Sequence, residues 1–152
     1  MGEIISYRSE LSHFFRELNL EWLEEFFYVE PHDHELLDTC EAMIIDQGGK
    51  IFFYMEKDEP SGTFALIKKR TGEYELAKMA VRKTLRGNGI GQKMLRFCID
   101  YCRSQQWNRL VLYSNRTLEN SIHLYRKFGF REIPLDHENP YARGDVKMEL
   151  ML

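Results

Sequence analysis

Long apolar runs are missing from this chain of 152 residues. No stretch approaches the roughly 18 uncharged apolar residues of a membrane helix, so no membrane association is expected. The start, Met1-Gly2-Glu3, has no basic region followed by an apolar core and lacks the pattern of a signal peptide. Cysteine is scarce and unpatterned: Cys40, Cys98 and Cys102 form an odd set with no CxxC spacing. Cys98 and Cys102 share a predicted helix face, but no His or acidic cluster stands beside them at metal-ligand spacing. Buried free thiols and no metal are therefore expected, and free thiols fit a reducing, cytoplasmic setting. Excess positive charge is also missing. A net charge of −3 argues against nucleic acid as a partner, because phosphate backbones reward a basic surface. Linkers, low-complexity tracts and repeats are absent too, which leaves one domain over residues 1–152 with room for a single sizeable core.

What is present begins with periodicity. From Glu10 to Tyr28 the apolar residues Leu11, Phe14, Phe15, Leu18, Trp22, Leu23, Phe26 and Phe27 recur at steps of three and four. The pattern predicts one broken helix or two short ones, with a break near Asn19 and a stop at Pro31. Asp33 to Thr39 reads as a loop or short helical turn, and the acids from Asp33 to Glu41 as a solvated stretch, against the sharper role of focusing a cationic amine. Strand-like runs follow at Ala42–Asp46, Lys50–Lys57, Thr63–Lys69 and Glu73–Val81, punctuated by Gln47-Gly-Gly49, Asp58-Glu-Pro-Ser-Gly62 and Thr71-Gly72. A helix is predicted after the glycines near 90, ending near Gln105. A strand at Arg109–Ser114, a helix at Glu119–Phe128 closed by Gly129, and strands at Phe130–Ile133 and Asp145–Leu150 complete the chain. The order predicts an α+β domain with a mixed sheet, the crossover helix setting Arg109–Ser114 parallel to Glu73–Val81.

The segment Arg86-Gly87-Asn88-Gly89-Ile90-Gly91-Gln92 carries the most chemistry. Glycines between a strand and a helix let the backbone approach an anion, and the free N–H groups of a helix start point toward it. A P-loop would require Gly-Lys-Ser/Thr, and the chain has Gly91-Gln92-Lys93. A dinucleotide fingerprint would require glycine at position 92 and an early strand–helix unit, and neither is found. Arg-x-x-Gly-x-Gly, met by Arg86, Gly89 and Gly91, remains.

That motif, behind a strand ending Met79-Ala80-Val81, resembles the acetyl-CoA motif of the GNAT N-acetyltransferases. Ser121-Ile-His-Leu-Tyr-Arg-Lys-Phe-Gly-Phe130 resembles a second segment of the same family, and a helix and a strand separate the two, as in that family. The resemblance implies the GNAT fold, a mostly antiparallel mixed sheet of about seven strands flanked by four helices. It implies direct acetyl transfer from acetyl-CoA to a primary amine, on a small molecule or a peptide, in a ternary complex. A non-catalytic acyl-CoA-binding module on the same fold is the alternative; a homodimer is common in such enzymes, an analogy that the chain itself does not test.

The family's roles fall on residues of this chain as follows. Amides across Arg86, Gly87, Asn88, Gly89, Ile90, Gly91 and Gln92 would hold the pyrophosphate, with the Arg86 side chain shaping the loop. Backbone groups of Met79, Ala80 and Val81 would meet the pantetheine and acetyl arm. Tyr125 would protonate the leaving thiolate, against the plainer role of a core aromatic. Glu75 would serve as general base, against the plainer role of a solvent-facing strand acid. Asn115 or Asn120 would touch the pantetheine, with an N-cap as the competing role. Trp22, Tyr28, Tyr141 and Arg143 are substrate candidates, Arg143 for a substrate carboxylate. His32 and His34, two apart, are expected to be solvated.

Overall fold

The computed structural model describes residues 2–152. The elements run β1 (Glu3–Ser6), α1 (Ser12–Phe26), α2 (Pro31–Asp38), β2 (Lys50–Glu56), β3 (Glu59–Arg70), β4 (Glu73–Val81), α3 (Ile90–Ser104), β5 (Arg109–Ser114), α4 (Glu119–Lys127), β6 (Arg131–Ile133) and β7 (Val146–Met151). Among the described residues they form one seven-stranded sheet in the order β1-β2-β3-β4-β5-β7-β6. Every pair is antiparallel except β4 with β5. The mixed α+β architecture is the one expected.

Strand alternation loads both faces of the sheet. Phe52 and Tyr54 of β2 join a cluster with Met94, Leu95 and Cys98 of α3, against which Leu124 and Tyr125 of α4 pack. Ile51 and Phe53 point the other way and meet Phe15 and Leu23 of α1 and Leu36 and Leu37 of α2. Each face thus buries one pair of helices on a period-two pattern.

Three expectations need correction. Ala42–Asp46 is not a strand: Glu41–Ile45 forms a π-helical turn that buries Ile44. Asp46 N–H donates to Glu41 O and Gly49 N–H to Ile44 O, each at 2.8 Å. A run this short and apolar fits either shape, so its periodicity does not discriminate. The seventh strand is instead β1, paired with β2 from Glu3↔Met55 to Ser6↔Phe52. Helix α1 does not break at Asn19, whose Nδ2 donates to Phe15 O at 2.9 Å one turn back. Pro31 starts a helix rather than stopping one. It takes the first turn of α2, where a missing N–H costs nothing, and Glu30 and Asp33 form a reciprocal capping box there.

The sheet is shaped at β4. Thr63 pairs with Ala80 but Ala65 pairs with Ala77, so Lys78 and Met79 together face Phe64. Lys78 takes up this bulge at φ 56°. Before the bulge Tyr74 and Leu76 belong to the α3 face; after it Met79 and Val81 do. An extra residue reverses the parity of everything beyond it. Glu75 and Lys78, three apart, therefore share the α1–α2 face. On the other edge, β4 pairs with β5 only through Glu73↔Arg109, Tyr74↔Leu110 and Glu75↔Val111. Past Glu75 the two strands part.

Candidate active site

A cleft of about 250 Å³ opens where β4 and β5 separate. Trp22 and Leu23 of α1 and Phe27 just past its end line it from one face of the sheet, and Ser121, Leu124 and Tyr125 of α4 line it from the other. It therefore passes through the sheet. Of the residues expected from sequence, Trp22, Glu75, Met79, Ala80, Val81, Arg86, Gly91, Asn115, Tyr125, Tyr141 and Arg143 line this one cleft. Tyr28 does not; it is 63% exposed beyond the end of α1. Asn120 does not either, lying exposed in the first turn of α4.

The glycine loop borders the cleft at Arg86 and Gly91. Gly87 and Gly89 adopt φ 86° and 77°, a left-handed backbone closed to most side chains. Gly89 caps α3 without any side-chain cap bond. The first helical amide bond here runs from Lys93 N–H to Gly89 O at 3.1 Å, so the amides of Ile90, Gly91 and Gln92 have no acceptor within the helix. The Ile90 side chain is buried in the core beneath, and Asn88 Nδ2 donates to Leu85 O at 2.9 Å. Arg86 braces the loop: Nε donates to Val81 O at 3.1 Å and Nη1 to Glu25 Oε1 at 2.8 Å. Its Nη2 is buried without a partner. A Cβ at Gly87, Gly89 or Gly91 would meet nothing within 4 Å, so the loop's outer surface is open. Free amides, an orphaned guanidinium nitrogen and open space together fit a pyrophosphate such as that of acetyl-CoA.

Tyr125 lines the cleft, its ring 5.8 Å from that of Phe130. Burial, followed by the nearby Cys98, pushes its phenol up to about 12, so the hydroxyl keeps its proton at any neutral pH. Asn115 is more committed than expected. Its Nδ2 donates to Arg143 O at 2.7 Å and its Oδ1 accepts Thr117 N–H at 2.9 Å. It latches the loop after β6 to the end of β5. Neither asparagine caps α4, whose N-cap is Leu118.

The α1–α2 end holds a buried ionic cluster that the sequence did not announce. Glu75 is 3% exposed, not the solvent-facing acid that simple alternation allows. Burial raises its carboxyl above the usual range against the pull of Lys69 and Lys78, and Lys69 Nζ stands 3.6 Å away. Lys78 Nζ pairs with Asp33 and donates to Tyr141 OH at 2.9 Å. Arg143 clasps Asp33 through Nη1 and Nη2, each at 2.7 Å, and reaches Glu30 Oε2 at 3.1 Å. Burial works against the charge on Asp33, but Arg143 and Lys78 outweigh it and hold the carboxyl at about 2. Asp33 is fully buried, which corrects the solvated acidic stretch expected there. Arg143, expected to await a substrate carboxylate, already has two carboxylate partners within the chain. Lys78 escaped notice because alternation without a bulge puts it on the opposite face from Glu75. His32 and His34 sit 3.7 Å and 3.6 Å from Glu35 and Asp38. No cluster of His, Cys, Asp and Glu suited to a metal occurs among the described residues.

Known proteins agree with this architecture. The model of the Acetyltransferase (GNAT) family matches residues 15–130. The uncharacterized N-acetyltransferase YvbK of Bacillus subtilis (strain 168) is 25% identical over 112 residues, 72% of each chain. An acetyltransferase of the GNAT family from Staphylococcus aureus Mu50 superposes with a TM-score of 0.88 at 23% identity, covering 99% of both chains. A Bacillus subtilis acetyltransferase solved in complex with CoA gives 0.76 at 18% identity, over 100% of this chain and 99% of that one. With the family's domain spanning both the glycine loop and the Tyr125 helix, the chain belongs to the GNAT acetyltransferase family.

Proposed function

We propose that the protein moves an acetyl group from acetyl-CoA directly to a primary amine, both substrates meeting in the cleft between β4 and β5. The observation that carries this is the single passage through the sheet. Arg86 and Gly91 of the glycine loop, Tyr125 and the buried Glu75 all line it. The donor supplies an acetyl thioester. The amides after Gly89 and the Arg86 guanidinium hold its phosphates, and β4 beyond Glu75, free of β5, offers backbone groups to its arm. An N–H of that stretch polarises the thioester carbonyl.

The remaining steps are proton movements. An ammonium cannot attack, so Glu75 takes one proton from it, directly or through water; its affinity for protons, raised by burial, suits that task. The amine nitrogen then bonds to the acetyl carbon as the carbon–sulfur bond breaks, and Tyr125 gives its proton to the departing sulfur. The nitrogen's surplus proton passes through water to the tyrosinate to leave the neutral amide, and Glu75 returns its proton to solvent. With the phenol near 12 and a thiol's ordinary value about 8.5, this transfer alone is uphill, and the return of the nitrogen's acidic proton to the tyrosinate offsets it. A desolvated thiolate is more basic than one in water, which narrows the gap. None of the three cysteines lines the cleft, in keeping with transfer that forms no acyl-enzyme.

The test combines binding with turnover. Thermal shift against acetyl-CoA, ATP and NAD is expected to show stabilisation by acetyl-CoA alone. Free thiol is expected to appear when acetyl-CoA is mixed with protein and an amine panel. Stabilisation by ATP or NAD but not acetyl-CoA overturns the donor assignment. Acetyl-CoA binding without thiol release from any amine favours a binding module.

A further inference from the structure

We infer that the acceptor is a compact primary amine carried on an aromatic or branched apolar body, with no carboxylate of its own. This rests on the transferase reading above and adds the acceptor's chemistry.

The cations of the acceptor end are already paired. Lys78 Nζ holds Asp33 and Tyr141 OH. Arg143 holds Asp33 through two nitrogens and Glu30 through one. Glu30 accepts Ala142 N–H at 2.8 Å as well, which ties the loop carrying Tyr141 and Arg143 to the start of α2. An amino-acid carboxylate entering here finds no cation without a partner inside the cluster, and it meets the field of Glu30, Asp33 and Glu75.

The same charges favour an ammonium. Glu30 and Asp33 balance Lys78 and Arg143, and Glu75 pairs with Lys69 at 3.6 Å. Lys69 sits toward the rim with its side chain 20% exposed. Glu75 lines the cleft and Lys69 does not, so an incoming ammonium meets the carboxylate from the cleft side, where a low dielectric strengthens the attraction. The body of the acceptor meets Trp22, Phe27, Tyr113 and Tyr141; the Trp22 and Phe27 rings lie 5.7 Å apart. Aromatic walls reward apolar groups and hold cations on their faces. The cleft totals about 250 Å³, and the donor's acetyl arm shares it. Small bodies fit such a space and folded peptide segments do not.

The experiment measures thiol release at fixed acetyl-CoA with matched pairs: 2-phenylethylamine against phenylalanine, and isoamylamine against leucine. Each pair differs by the carboxylate alone. The amines are expected to exceed their amino acids by about 100-fold in kcat/KM, since an unmatched charge costs several kcal/mol in a buried site. Phenylalaninamide, which keeps the bulk without the charge, is expected to fall between the two. In Glu30→Gln, which relieves Arg143 of one partner, the ratio is expected to narrow severalfold. Amino acids used within tenfold of the amines overturn the inference, as does an amide no better than phenylalanine or a ratio unchanged in Glu30→Gln. Turnover of lysine peptides or long polyamines alone also overturns it, while leaving the transferase reading intact. Acetyl-CoA binding with no thiol release from any amine overturns both.

Discussion

Two side chains with displaced proton affinities, Glu75 and Tyr125, line the opening in the sheet. Glu75 binds its proton more tightly than an ordinary carboxyl because the fold buries it. The sign of this shift has two consequences. Ionised Glu75 costs stability at pH values above the ordinary carboxyl value of 4.5, and the cost fades as pH falls below it. Glu75→Gln is therefore expected to raise the Tm at pH 7, with the gain disappearing below about pH 4 on the unfolded carboxyl's scale. The same variant is expected to lose the acid limb of the kcat/KM profile, which in the wild type lies above 4.5. Thermal melts and rate profiles across pH check both. A variant that is less stable at pH 7 and keeps the acid limb contradicts the role of Glu75 as a buried base.

At the scale of elements, the bulge in β4 and the start of α3 do the positioning. The bulge puts Lys78 on the same face as Glu75 and against α2, so that Asp33 lies between Lys78 and Arg143. Asp33→Asn leaves two buried cations short of a partner and is expected to cost roughly 3–5 kcal/mol in denaturant unfolding. At the helix start, Gly89 has φ 77°, and Gly89→Ala is expected to destabilise by about 1 kcal/mol through backbone strain. It should also weaken acetyl-CoA binding measurably in calorimetry, because the strained cap displaces the free amides. The helix start was legible because glycine spacing and the strand-to-helix switch are local signals. The bulge was not. Glu73-Tyr-Glu-Leu-Ala-Lys-Met-Ala-Val81 reads as an ordinary strand, and only the pairing with β3 reveals two residues opposite Phe64. The Ala42–Asp46 run failed for a related reason, since four apolar residues suit a helical turn as well as a strand. The partners of Asp33 lie at Lys78 and Arg143, far along the chain, where no local pattern reaches.

At the scale of the whole molecule, the sheet divides the described helices into two pairs, and a gap opens between them at the diverging ends of β4 and β5. Asp33 ties that arrangement to pH. Its carboxyl sits at about 2 against an ordinary 3.8, so its contribution to stability is complete above the ordinary value and fades as pH falls through that window. Acid unfolding monitored by circular dichroism is expected to begin between these two values and to move to higher pH in Arg143→Gln, which removes one of the groups holding the carboxylate ionised. The proposal that the gap is a catalytic passage rests on Tyr125, the phenol placed beside the donor's path. The most direct measurement is thiol release from acetyl-CoA with a responsive amine, comparing wild type with Tyr125→Phe at matched occupancy of the donor site. The expected result is a fall in kcat of about 10²-fold or more with the acetyl-CoA Kd unchanged; equal turnover by the two proteins would contradict the account.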